Sequence, residues 1–253
     1  MPVLHILKYP LVIFVISILL LWLAARLGSR MSEGREALTE ALKADFTLVQ
    51  GATLTLLGLI IGFSYSMATA RYDLRKNYEE AEANAIGTEY VRADLLPEPE
   101  ASQVRTMLRQ YTDLRIRWYV TRHADELRQI NADTERLQSQ LWAGVAGPTN
   151  AQPTVGRSLA AAGMNDVLNS QGYTQAAWWN KIPVAAWCLM FGMGLFSNAL
   201  VGFGVRRSEA KLLMILPLVI ALSFFLIADI DSPRGGAIRV RPQNLDALQN
   251  SLK

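Results

Sequence analysis

The sequence predicts an all-α membrane protein: four transmembrane helices, with a long-helix, water-facing domain inserted between the second and the third. Three observations predict it. Apolar residues concentrate in four windows of the 253-residue chain, charge lies almost entirely between those windows, and the longest gap between them repeats apolar residues at three-and-four spacing. The hydrophobic fraction of 51% is only slightly above that of a soluble domain, so the distribution decides, not the total. The expected division is 1–70 for the first two membrane helices, 71–181 for the helical extramembrane domain, 182–230 for the last two membrane helices and 231–253 for a C-terminal tail.

The first window, Tyr9 to Ala25, carries no charge and is bracketed by Lys8 and Arg26, both able to reach the interface. At 1.5 Å per residue it spans about 26 Å, close to a hydrocarbon core of about 30 Å. A cleaved leader is the competing reading of LAARLGS, and a retained helix is expected. The second window, Phe46 to Ala70, is interrupted by small and polar residues. Gly51, Thr55, Gly58, Gly62, Ser66 and Thr69 fall on one stripe at 3.6 residues per turn. Gly58 and Gly62 have the spacing that lets helices approach closely. The same stripe could line a central path, with hydroxyls offering weak polar contacts to an ion.

The third window, Ile182 to Phe203, begins with Pro183, where a missing N–H costs nothing. It contains the single cysteine, Cys188, which therefore reports nothing about disulfides. The fourth, Leu212 to Ile230, contains Pro217 and is expected to bend there. The short link GVRRSEAK between them predicts an antiparallel hairpin. Asp229, Asp231 and Arg234 follow at the membrane boundary. Two carboxylates there need solvent or a partner, with Arg234 or Arg71 as candidates.

Between the second and third windows, residues 71–96 read as a continuation of the second helix, ended by Leu96-Pro97-Glu98-Pro99. A second long helix is expected from Pro99 to Ala143. Its seam is Val104, Met107, Tyr111, Leu114 and Trp118, then Leu127, Ile130, Thr134, Leu137 and Leu141. Arg109, Arg115, Arg117, Arg122 and Arg128 are expected mostly on its solvated side, and Glu79, Glu80 and Glu82 on an exposed helix. Gly144 to Gln152 reads as a turn or flexible loop, and Thr154 to Tyr173 as a shorter helix. Trp178, Trp179 and Lys181 then make an interface anchor.

Several functions are excluded. The formal net charge of +3, without a basic stripe, gives no reason to expect nucleic acid. His5 and His123 are too far apart to form a metal-ligand pair of usual spacing. No phosphate loop, HExxH, CxxC or GxSxG is present. No catalytic residue, metal site or cofactor is therefore expected, and the chain does not read as an enzyme. Cations near the membrane ends number eight on the domain side and seven on the other, so the positive-inside rule gives no orientation.

Three stretches, 56–99 (LLGLIIGFSYSMATARYDLRKNYEEAEANAIGTEYVRADLLPEP), 164–187 and 216–240, together resemble the bacterial bestrophin-like four-helix membrane family, and more distantly the bestrophin anion channels. The resemblance implies a multi-pass protein of the cell inner membrane, with the helical domain and both termini in the cytoplasm. It implies a homo-oligomeric ion channel, five copies by analogy, with the second helix around the central axis. An apolar constriction would fall by position on Ile60, Phe63 or Met67, although Met67 stands where bestrophins carry an arginine. Thr55, Gly58, Gly62 and Ser66 complete the expected pore lining. The acidic calcium cluster of bestrophins has no counterpart beyond Asp229 and Asp231.

Arg71, Arg75 and Lys76 would ring the pore mouth and favour small anions, partly offset by Asp73, Glu79 and Glu80. The expected partners are thus the lipid bilayer, further copies of the chain and small inorganic ions. The alternative is a non-conducting membrane scaffold or signalling protein whose 104–141 seam binds a partner. A third reading, an ion-coupled transporter using Asp229 and Asp231, lacks an inverted repeat or a discontinuous helix.

Overall fold

The computed structural model describes residues 9–32, 40–204 and 212–252, and every regular element among them is helical. They form two compact units. One holds the described residues up to Arg71 and those within Lys181–Arg239; the other holds Tyr72–Asn180 and the described residues from Val240 onward. The link expected to close a hairpin between the third and fourth windows lies, at 205–211, outside the described residues.

The first unit contains α1 (Pro10–Ser32), the first part of α2 (Glu40–Arg92), α6 (Val184–Gly204) and α7 (Ile215–Asp231). Among the described residues, three apolar helical stretches are long enough to cross a membrane: Pro10–Ser32, Leu42–Leu95 and Val155–Gly204. The 17 residues of α7 are as apolar in character and reach about 26 Å. Small residues bring α1 and α6 together. A methyl group at Gly28 would stand 2.0 Å from the Ala199 carbonyl oxygen, and one at Gly202 would stand 1.9 Å from that of Ala25. Leu21 meets Gly194 further back along both helices, so α1 and α6 run in the same direction. Pro217 does not bend α7 from within. The helix begins at Ile215 after a 3-10 turn at Leu212–Met214, which puts the proline in the first turn, where its absent N–H has no role.

The second unit joins the rest of α2 to α3 (Glu100–Val120), α4 (Ala124–Ala151), α5 (Val155–Trp179) and α8 (Gln243–Ser251). The helix expected from Pro99 to Ala143 is two helices. It breaks at Thr121–His123, after the β-branched pair Val120-Thr121. Arg117 in the last turn of α3 and Asp125 and Glu126 in the first turn of α4 suit the two helix dipoles at that break. The two halves of the seam then fold onto each other as an antiparallel pair. Gln138 donates to the Tyr111 hydroxyl at 3.1 Å, and Val104 packs beside Gly144.

The loop expected at 144–152 is instead the end of α4, which runs to Ala151 with Pro148 inside it. Burial of Val145 outweighs the local turn preference. Arg157 donates to the carbonyls of Pro148 and Gln152, satisfying groups that the helix end leaves open. Thr154 caps α5 by accepting from the Arg157 N–H, and α5 continues to Trp179, six residues past the expected end. The C-terminal segment is not a loose tail: Leu245 is fully buried in the core of this unit.

Candidate functional site

α2 is one unbroken helix of 53 residues, and its covered side follows a strict helical period. Thr53, Leu57, Ser64, Ala68, Arg75, Glu79, Glu82, Ile86 and Glu89 are all buried, at intervals of three, four or seven. Thr55, Gly58, Gly62 and Ser66, expected to line a pore, are all exposed. Among the described residues, nothing comes within 4 Å of a methyl group built on Gly51, Gly58 or Gly62. Phe63 and Met67 are exposed as well, at 65% and 41%, and Ile60 is half-buried.

The two expected sets do not share a face. At about 100° per residue, Ile60, Phe63 and Met67 centre roughly 130° from Thr55, Gly58, Gly62 and Ser66. One helix cannot turn both sets to a single axis. Leu59, exposed at 53%, lies between them and opposite the covered stripe. As an ordinary apolar residue in an apolar run, it carried no signal in the sequence.

The three expected mouth cations also separate. Lys76 is exposed and Arg71 is half-buried. Arg75 is not a mouth charge within the chain: it is 1% exposed and donates to the carbonyls of Ala177 and Asn180, both at 3.2 Å. Those carbonyls end α5, so the guanidinium caps a helix C-terminus. Asp73 and Glu80, on the stripe of Thr55, Gly62 and Ser66, are exposed.

At the end of α7 the two carboxylates are buried, and main-chain amides hold them. Asp229 accepts from the N–H groups of Ala237 and Ile238 at 2.7 and 2.8 Å, and Asp231 accepts from that of Ile182 at 3.0 Å. Gly236 makes the return possible, since a methyl group there would stand 2.2 Å from the Asp229 carbonyl oxygen. Charge-assisted bonds of this kind stabilise an acid without any metal. No group of His, Cys, Asp or Glu able to hold a metal occurs among the described residues.

The acidic residues of α2 at Glu79 and Glu82, expected on an exposed helix, face inward. Glu79 accepts from the N–H groups of Asn244 and Leu245 and from the Asn244 side chain, and so pins the start of α8. Glu82 pairs with Arg115, which was expected on a solvated side, and accepts from Tyr119 and Thr174. Burial opposes the Arg115 charge, but Glu82, with Tyr111 and Tyr119 adding to it, more than offsets that penalty and holds the guanidinium above its ordinary value. Burial, reinforced by Glu82, pushes Tyr119 upward. Removing one member of such a pair costs about 3–5 kcal/mol, so this cluster fixes α2 against α3 and α5.

The model of the bestrophin-like domain matches residues 11–245. The chain belongs to the bestrophin-like family. Its fold is also similar to crystal structures of a bacterial bestrophin homologue from Klebsiella pneumoniae. Two point variants of that protein give TM-scores of 0.66 and 0.67 at 14% and 15% identity, covering 94% of this chain and 97% of theirs. A third structure of the homologue gives 0.63 at 16% identity, covering 94% of this chain and 95% of that one. No curated protein matches. At these identities the structures establish the shared helical membrane fold for this bestrophin-like chain, and the family model establishes its membership.

Proposed function

We propose that this bestrophin-like chain is a homo-oligomeric channel for small ions in the cell inner membrane, with α2 around the central axis. One observation carries the reading: 11% of the apolar window of α2 is buried within the chain, against 28% for each of the other two apolar stretches. A helix so poorly covered by its own chain, and bearing small and hydroxyl residues on the open side, suits a place between copies and water. Four crossings fit the parallel course of α1 and α6. Two parallel membrane helices need an odd number of crossings between them, which α2 supplies. Both termini and the helical domain would then share one side, the cytoplasm by family analogy, and five copies remain the working number.

The face of α2 opposite its covered stripe carries Thr55, Leu59, Gly62 and Ser66, and its continuation carries Asp73 and Glu80. These are the residues we place toward the axis, with Leu59 as the apolar member. Gly58 and Phe63 flank them about equally on the two sides, and Ile60 and Met67 lie further round. Small anions were the expectation from Arg71, Arg75 and Lys76. With Arg75 capping α5 and Lys76 turned about 60° from the acidic line, that expectation loses support, and the geometry favours small cations.

Purified protein reconstituted in liposomes is expected to pass potassium more readily than chloride. Replacing Asp73 and Glu80 by their amides should lower that preference severalfold. A monomer in native mass measurements, or an oligomer silent at every voltage and pH, would end the channel reading. A partner-binding role retains one supporting feature. Val155, 89% exposed, and Leu159 are apolar residues left open on α5 of the second unit, and Leu95, also exposed, packs beside the neighbouring Gly156. The transporter reading loses support, since main-chain amides hydrogen-bond both Asp229 and Asp231.

A further inference from the structure

Three carboxylates of α2 face into the second unit, and the third differs from the other two. Glu79 and Glu82 each accept several hydrogen bonds, whereas Glu89 is fully buried with neither oxygen hydrogen-bonded. It rests against α5 at Gly163. A methyl group on Gly163 would lie 2.1 Å from Glu89 Oε2 and 2.4 Å from Arg92 Nη1, so the bare glycine makes the room that this carboxyl occupies. The charged groups that face it are Arg92, from its own helix, and Asp166, three residues beyond Gly163 in α5.

We infer that Glu89 is a proton-operated contact between α2 and α5, packed as a neutral acid against Gly163 and loosened when it ionises. A carboxylate without donors in a site closed to water is costly, while the protonated form is not. Burial is the main cause of a value pushed up to about 8; Arg92 works against the shift and Asp166 adds to it. Because the folded value lies above the ordinary 4.5, the folded chain holds a proton that the unfolded chain has released. The stabilisation is therefore complete below about 4.5, declines as pH rises, and is gone above about 8. Over that window this single proton changes the folding equilibrium by at most about tenfold per pH unit. The site lies in the helical unit outside the apolar windows, and the inference does not depend on ion conduction.

The test uses the full chain in lipid nanodiscs. Hydrogen exchange of the α5 amides around Gly163 is compared between wild type and Glu89→Gln from pH 6 to pH 9. The wild type is expected to lose protection relative to the variant by severalfold as pH rises. Superimposable profiles would overturn the inference. Infrared difference spectra of the wild type across the same range supply a second readout, needed if the variant does not fold. A protonated buried carboxyl should be seen near neutral pH and vanish by pH 9; its absence near neutral pH would overturn the idea equally.

Discussion

Glycines in the apolar helices of the first unit serve two opposite ends. Gly28 in α1 and Gly202 in α6 face main-chain carbonyls at distances no methyl group could share, whereas Gly51, Gly58 and Gly62 in α2 face nothing among the described residues. In sequence, the α2 glycines looked the better candidates for close helix packing, because Gly58 and Gly62 carry the recognised four-residue spacing. The chain packs elsewhere. The difference teaches that spacing along one helix reports a smooth face but not its partner, and that a smooth face left open inside the chain is available to something outside it.

The largest effect is expected where the wall is backbone. Gly202→Ala places a methyl group on the Ala25 carbonyl oxygen, and Gly28→Ala one on that of Ala199. A carbonyl in a helix cannot rotate away, so the helices must separate. Each variant should lose on the order of 3 kcal/mol, read as a lower thermal midpoint in detergent or nanodiscs. Midpoints equal to that of wild type would break the comparison at its firmer end, by showing that α1 and α6 are not in close contact.

Much of the fold was legible in the sequence, and the failures share a cause. Long apolar windows and the extension of the second helix past Arg71 follow from local composition, which a sequence states directly. Glu82 and Arg115 could not be placed that way. Each looks like solvated charge on its own helix, and only their meeting across α2 and α3 makes burial affordable. Val145 and Pro148 failed likewise, because GPTN favours a turn until the tertiary core claims the valine. Asp229 and Asp231 were expected to meet solvent or an arginine, and the main-chain amides that bond them leave no trace in a sequence. For the candidate site, periodicity identified the open stripe of α2, while the separation between its two expected faces needed only angular arithmetic that spacing had already supplied.

An intermediate effect is expected where the wall is a flexible side chain. Gly163→Ala meets the ends of Glu89 and Arg92, which can swing aside at the cost of their packing. A loss of about 1–2 kcal/mol is expected, smaller than at Gly202. The loss should also be larger at pH 6 than at pH 9, because the displaced contact is the one that the neutral acid makes. An effect as large as at Gly202 would mean that these side chains are as fixed as backbone.

The smallest effect on stability is expected where there is no wall at all. Gly58→Ala and Gly62→Ala should shift the unfolding of the isolated chain by no more than about 1 kcal/mol, and toward greater stability, since alanine is the better helix former. What these variants do to the assembled protein carries the information. Fewer copies by native mass measurement would put the stripe between subunits. An intact oligomer with altered flux would put it at the axis. If copy number and flux both stayed unchanged, the open face of α2 would be turned to acyl chains, and the observation that most favours a channel would have a lipid explanation instead.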